Sequence, residues 1–180
     1  MTQRIEQNNN PDSKATELLA GAKKALGMVP NLFSTIAHSS AALAFHVNGS
    51  SALQHTHISA ALREQIAVST SGFNGCDYCA SAHTLLGAMR KVEPSELALN
   101  LHGKSYNTKT QAALTFSRRV LETRGHIADG DLDAIRAAGY TEADIVEIIA
   151  TTVDTVFTNY FNNVAKTVID FPLVSTGKEA

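Results

Sequence analysis

Between two stretches of helical periodicity, residues 59–71 and 76–90, stands the sequence Gly72-Phe73-Asn74-Gly75. Two glycines around an asparagine permit positive φ, so this break reads as a tight helix-to-helix turn. A connection that short folds the second helix back antiparallel to the first. The resulting helical hairpin is the feature to which the rest of the chain must adapt.

The flanking sequence reads as further helices. Ser13 caps a first helix carrying Leu18, Leu19, Ala22 and Leu26, with Gly27 as its stop. Pro30 suits the first turn of a second, and Ser39-Ser40 opens a third that fades near Leu53. After the hairpin, Pro94 opens a short helix. Asn107 or Thr108 caps a longer one to about Arg124, and Asp129 or Asp131 starts another ended by Gly139. Thr141 with Asp144 resembles a capping box for a last helix running to about Val168, where Ile145, Ile148, Ile149, Val153 and Val156 recur at helical spacing. No segment alternates as a strand bounded by hairpin turns. The expectation is an all-α chain of about eight helices in one domain, residues 13–174. Flexible tails are expected over residues 1–12, with their three consecutive asparagines, and over residues 175–180.

The hairpin collects the chemistry. Both cysteines of the chain form a C-x-x-C pair, Cys76 and Cys79, and His83 follows. On a helix, positions 76, 79 and 83 fall within about 60° of one another, so two thiols and an imidazole share one stripe. With the turn centred between Phe73 and Asn74, the mirror position of His83 is Glu64. The hairpin thus aligns carboxylate, imidazole and thiol, the order in which a base is held and in turn activates a nucleophile. Two arguments about the more reactive thiol conflict. A helix N-terminus favours Cys76 as thiolate, more acidic and more exposed, whereas proximity to the Glu64–His83 pair favours Cys79; the second argument carries, because deprotonation by an adjacent base explains where His83 and Glu64 stand.

Other chemistries fit less well. Cys76, Cys79 and His83 offer three metal ligands, but no second cysteine pair exists to complete a structural zinc site, and no metal or other cofactor is expected. A c-type haem needs histidine directly after the second cysteine, where Ala80 stands. His55 and His57 fall in a loop as surface residues or as part of a substrate entrance, and His38, His46, His102 and His126 form no constellation. Glu64 beside Arg63 also has a bland reading, an ordinary surface pair. The net charge of −2 with scattered Lys and Arg gives no reason to expect a nucleic-acid partner. No apolar run is long enough for a membrane span, and the polar N-terminus lacks a secretory pattern, so the cytoplasm is the expected compartment. In a reducing compartment a close cysteine pair points to redox or catalytic work rather than a structural staple.

Glu64, eleven intervening residues, C-D-Y-C, three more and His83 resemble the signature of the alkylhydroperoxidase D-like proteins of the carboxymuconolactone decarboxylase superfamily. The segments LGMVPNLFSTIAHSSAALAF (26–45) and NYFNNVAKTVIDFP (159–172) are similar to that family's entry segment and closing helix. The resemblance implies an all-α fold assembled as a trimer or hexamer, and a peroxidase acting on organic hydroperoxides or hydrogen peroxide. It implies Cys79 as the attacking thiol, Cys76 as the resolving one that closes a redox-active disulfide, and Glu64 with His83 as proton relay. An external dithiol, in the family a lipoyl-bearing protein, would reduce that disulfide. Tyr78 stands where the best-known members carry a second histidine, and is a candidate for pocket wall or relay. The other readings are a non-enzymatic redox-sensing or metal-binding helical oligomer, and a lactone decarboxylase. The last is disfavoured because that branch does not rely on a C-x-x-C pair.

Overall fold

The structure is a computed structural model that describes residues 2–177. Nine helices follow in chain order among the described residues: α1 (Ser13–Leu26), α2 (Asn31–Ile36), α3 (Ser40–Leu53), α4 (Ala60–Asn74), α5 (Asp77–Met89), α6 (Pro94–Leu101), α7 (Thr108–Thr123), α8 (Asp129–Ala137) and α9 (Glu142–Ala165). The all-α reading is borne out, with one helix more than the expected eight. No helix among them is long and apolar enough to cross a membrane.

The centre is α4, packed by α5, α6, α7 and α9. Its segment from Gln65 to Gly72 is buried throughout, although it includes Ser69, Thr70 and Ser71. The two serine hydroxyls are spent internally. Ser71 Oγ donates to Ala67 O and accepts from Asn159 Nδ2, while Ser69 Oγ accepts from Arg118 Nε. Ile66, Leu114, Ile135 and Ile148 form the apolar core on one side of α4. A second cluster, with Leu32, Ile36 and Leu43, encloses both cysteines.

The break at 72–75 is placed correctly but works differently from a loop. α4 continues through Gly72, Phe73 and Asn74, and only Gly75 takes the left-handed conformation, with φ of 67°. Gly72 is needed for closeness instead: a Cβ there would lie 1.9 Å from the carbonyl oxygen of Leu101, so α6 can approach α4 only at a residue without a side chain. Gly87 has the same role on α5, where a Cβ would meet Leu97 Cδ2 at 2.7 Å and come within 3.6 Å of Glu64 Cβ.

Several boundaries differ from the sequence reading. Asp12, not Ser13, caps α1, its carboxylate accepting the Ala15 amide at 2.7 Å. The Thr141–Asp144 capping box of α9 forms as expected, but α9 ends at Ala165 rather than near Val168. There Lys166 turns left-handed (φ 52°), and the Ala165 carbonyl is taken by the amides of Arg4 and Ile5. The expected loose N-terminal tail therefore has no helix but is tied down: Asn8 also donates from its amide to Ser34 O and from Nδ2 to Ala37 O. After Pro172 the chain turns back over α5, where the Val174 amide donates to Ser81 Oγ and the Thr176 amide and hydroxyl to Asp77. Of the expected C-terminal tail, residues 178–180 lie outside the described residues.

Candidate active site

Cys76 is the N-cap of α5, and its sulfur accepts the Cys79 amide at 3.4 Å. Cys79 sits in the first turn, His83 one turn later, and Glu64 on α4 faces it across the hairpin. His83 Nδ1 and Glu64 Oε2 are 2.8 Å apart, as the mirror argument requires. The pair is largely shielded, with 26% and 14% of the two side chains exposed. Arg63, beside Glu64, is no surface partner: it is buried and donates to Thr56 Oγ1, Ile58 O and Gln54 Oε1, holding the loop before α4.

The thiols are both free and both buried, at 1% and 2% exposure. The helix-start argument for an exposed, more acidic Cys76 does not hold here. Its thiol is pushed far up, first because it donates to Cys79, then by burial and by the charge on Cys79. Burial pushes Cys79 up too, but the Cys76 hydrogen bond, the His83 charge and the Asn159 and Asn162 amides outweigh it and hold Cys79 at about 6. Asn162 Nδ2 lies 3.2 Å from the Cys79 sulfur, which in turn lies 3.7 Å from Thr158 Oγ1. For His83, burial pulls downward, yet the hydrogen bond and charge of Glu64, with Cys79 and Asp154 behind, raise it above the ordinary imidazole value. The two shifts act together, each charge favouring the other. The amides that reach the Cys79 sulfur come from α9, an element far away in the chain.

Tyr78 is a wall residue. It is buried, its hydroxyl oxygen accepts the Leu32 amide at 3.1 Å, and its ring meets Phe171 edge to face at 5.5 Å. Burial first, then the neighbouring Asp170, push its phenol upward, so it stays protonated. Among the described residues no group of three or more His, Cys, Asp or Glu side chains is arranged to share a metal ion.

Cys79, His83 and Glu64 open onto a cavity of about 390 Å³, whose other walls include Phe33, Leu53, Leu86 and Met89. His55 and His57 are not part of its lining. His46 is, contrary to the expectation that it joins no constellation. Buried at 7% exposure, it directs Nδ1 at Asp154 Oδ1 (3.5 Å), and Ser50 Oγ donates to Asp154 Oδ2 at 3.0 Å. The only local signal was His46 and Ser50 at i, i+4 on α3. Their partner lies 104 positions beyond Ser50.

The fold and the site define a helical dithiol protein: a C-x-x-C pair at a helix start, with an imidazole–carboxylate pair held across a hairpin. Residues 40–123, which include that hairpin, match the model of the carboxymuconolactone decarboxylase family. The fold is the alkylhydroperoxidase D-like one. The alkylhydroperoxidase AhpD core of an uncharacterized peroxidase-related protein from Ralstonia eutropha JMP134 superposes with a TM-score of 0.84 at 23% identity, covering 93% of this chain and 92% of that one. An uncharacterized peroxidase-related protein from Silicibacter sp. TM1040 gives 0.80 at 21% identity, covering 91% and 88%. The debrominase Bmp8, as a cysteine-to-alanine variant with 2,3,4-tribromopyrrole bound, gives 0.78 at 20% identity, covering 94% and 93%. No curated protein matches the chain by sequence.

Proposed function

We propose that this protein is a dithiol peroxidase that reduces organic hydroperoxides. The observation that carries this reading is the line Cys79–His83–Glu64, with its 2.8 Å imidazole–carboxylate contact, opening on a largely apolar cavity. The Cys79 proton passes to His83, which Glu64 holds and keeps basic. The thiolate attacks the terminal oxygen of R–O–O–H: an S–O bond forms, the O–O bond breaks, and RO⁻ leaves to be protonated to the alcohol. Cys79 is then a sulfenic acid. The Cys76 sulfur, already hydrogen-bonded within the same helical turn, displaces water from it to form the Cys76–Cys79 disulfide. An external dithiol such as a lipoyl-bearing protein returns both thiols by exchange. In this reading the protein acts in the cytoplasm as a trimer or hexamer, which the exposed apolar side chains Val146, Val153, Tyr160 and Val164 along α9 support.

The test is peroxide consumption with dihydrolipoamide as reductant. Turnover of cumene hydroperoxide that Cys79→Ser abolishes supports the reading, and full activity in Cys79→Ser refutes it. A second reading, reductive dehalogenation by the same dithiol, draws on the cavity, far larger than hydrogen peroxide needs, and on the likeness to a debrominase. Bromide release from a bromopyrrole without peroxide consumption would favour it.

A further inference from the structure

A histidine outside the hairpin faces the same cavity as the thiol. His46 on α3 turns Nδ1 toward the Asp154 carboxylate and the Ser50 hydroxyl, 3.5 and 3.4 Å away. Ser50 is itself fixed by its 3.0 Å bond to Asp154. The ring is clamped by Phe33, edge to face at 5.3 Å, and by Phe157 at 5.9 Å. An imidazole held this way by carboxylate and packing has one orientation, with Nδ1 committed to Asp154 and Nε2 the ring nitrogen free to exchange a proton. Asp154 and Thr158 are one turn apart on α9, so their Cβ atoms lie about 5–6 Å apart. Thr158 touches the Cys79 sulfur. The His46–Asp154 pair is thus about a helical turn from the thiol, on the wall that α3 and α9 contribute.

We propose that His46, positioned by Asp154, is the acid that protonates the leaving oxygen of a bulky alkyl or aryl hydroperoxide bound in this cavity. The proposal rests on the peroxidase reading and deepens it. Two proton-handling pairs then divide the work around one substrate. His83–Glu64 takes the proton of Cys79, and His46–Asp154 supplies one to the oxygen at the other end of the breaking bond. The thiolate gives its electron pair to the terminal oxygen and is oxidised to sulfenic acid. The O–O pair departs on RO⁻; His46, carrying a proton on each ring nitrogen with Nδ1–H on Asp154, gives its Nε2 proton to that oxygen, which leaves as ROH. The proton that Cys79 gave to His83 then passes through solvent to His46 Nε2, so the net change is Cys79 thiol and ROOH to sulfenic acid and ROH. Apolar residues of the cavity lining, Phe33 and Leu86 among them, hold the R group, and this selects an organic hydroperoxide over hydrogen peroxide.

Leaving-group dependence separates this role from a structural one. An alkoxide leaves poorly without a proton, whereas the carboxylate released from a peroxyacid leaves without help. The rate of Cys79 oxidation is measured for wild type and His46→Gln with cumene hydroperoxide and with 3-chloroperoxybenzoic acid. The expected result is a loss of about 100-fold with cumene hydroperoxide, the usual reach of a general acid, and a much smaller loss with the peroxyacid. The ratio of the two rates then shifts by well over tenfold. Asp154→Asn serves as a second variant if His46→Gln folds poorly. Its effect through the charge near His83 falls on both oxidants alike, so the ratio still reports on His46. An unchanged ratio in both variants, with wild type active on cumene hydroperoxide, overturns the proposal alone. A wild type inert to cumene hydroperoxide overturns the peroxidase reading, and this proposal with it.

Discussion

Replacing Glu64 by Gln keeps the shape of the hairpin and removes one charge. Glu64 Oε2 lies 2.8 Å from His83 Nδ1, and only 14% and 26% of the two side chains are exposed. A charge-assisted hydrogen bond so shielded is worth about 2 kcal/mol, which corresponds to roughly 30-fold in a rate. The sign follows from the charges. Without the carboxylate His83 binds its proton less firmly, and without a firm His83 cation Cys79 loses part of what holds it at about 6. The assay is single-turnover oxidation of the reduced protein by cumene hydroperoxide in stopped flow. Alongside it, the pH dependence of Cys79 alkylation by iodoacetamide is followed by mass spectrometry. Wild type should show a rise in alkylation centred near pH 6. In Glu64→Gln that midpoint should move to higher pH, and oxidation at neutral pH should slow about 30-fold. An unchanged rate and midpoint in a folded variant would refute the relay.

Other expectations follow from single contacts. Asn162→Ala removes the 3.2 Å donor to the Cys79 sulfur. Alkylation of Cys79 below pH 7 should slow by about tenfold, since a hydrogen bond to a charged group is worth about 1.5–3 kcal/mol, with little change at pH 9. Cys76→Ser should still lose one equivalent of peroxide but stop at a Cys79 sulfenic acid, trapped by dimedone and visible by intact mass. Gly72→Ala would place a Cβ 1.9 Å from Leu101 O. Urea unfolding should show a loss of about 3 kcal/mol, the upper range for overpacking, and no loss would mean that α4 and α6 are not in the contact described.

The part of the site legible from sequence was the part built by local counting. Glu64 and His83 are 19 positions apart across one short turn, so periodicity and the turn centre suffice to pair them. The acidity of the two thiols was not legible in that way. A helix start favours Cys76 in isolation, but the cluster that includes Leu32, Ile36 and Leu43 buries it, and α9 brings Asn162 to Cys79 from 83 positions away. His46 and Asp154 failed for the same reason, since nothing local tells that α3 packs on α9. Gly72 illustrates the converse. Its place in the sequence marked a break, but what it provides is room for Leu101, a contact that only tertiary structure shows.

The central claim, that Cys76 and Cys79 are a peroxide-reducing dithiol with Cys79 attacking, is tested most directly by one titration. Fully reduced protein receives one equivalent of cumene hydroperoxide, and intact mass with peptide mapping follows both protein and alcohol. The account predicts stoichiometric cumyl alcohol and a Cys76–Cys79 disulfide that dithiothreitol reverses, with Cys79→Ser yielding neither. Peroxide left unconsumed by the reduced wild type, or an oxidised product that leaves Cys79 a free thiol, would contradict it.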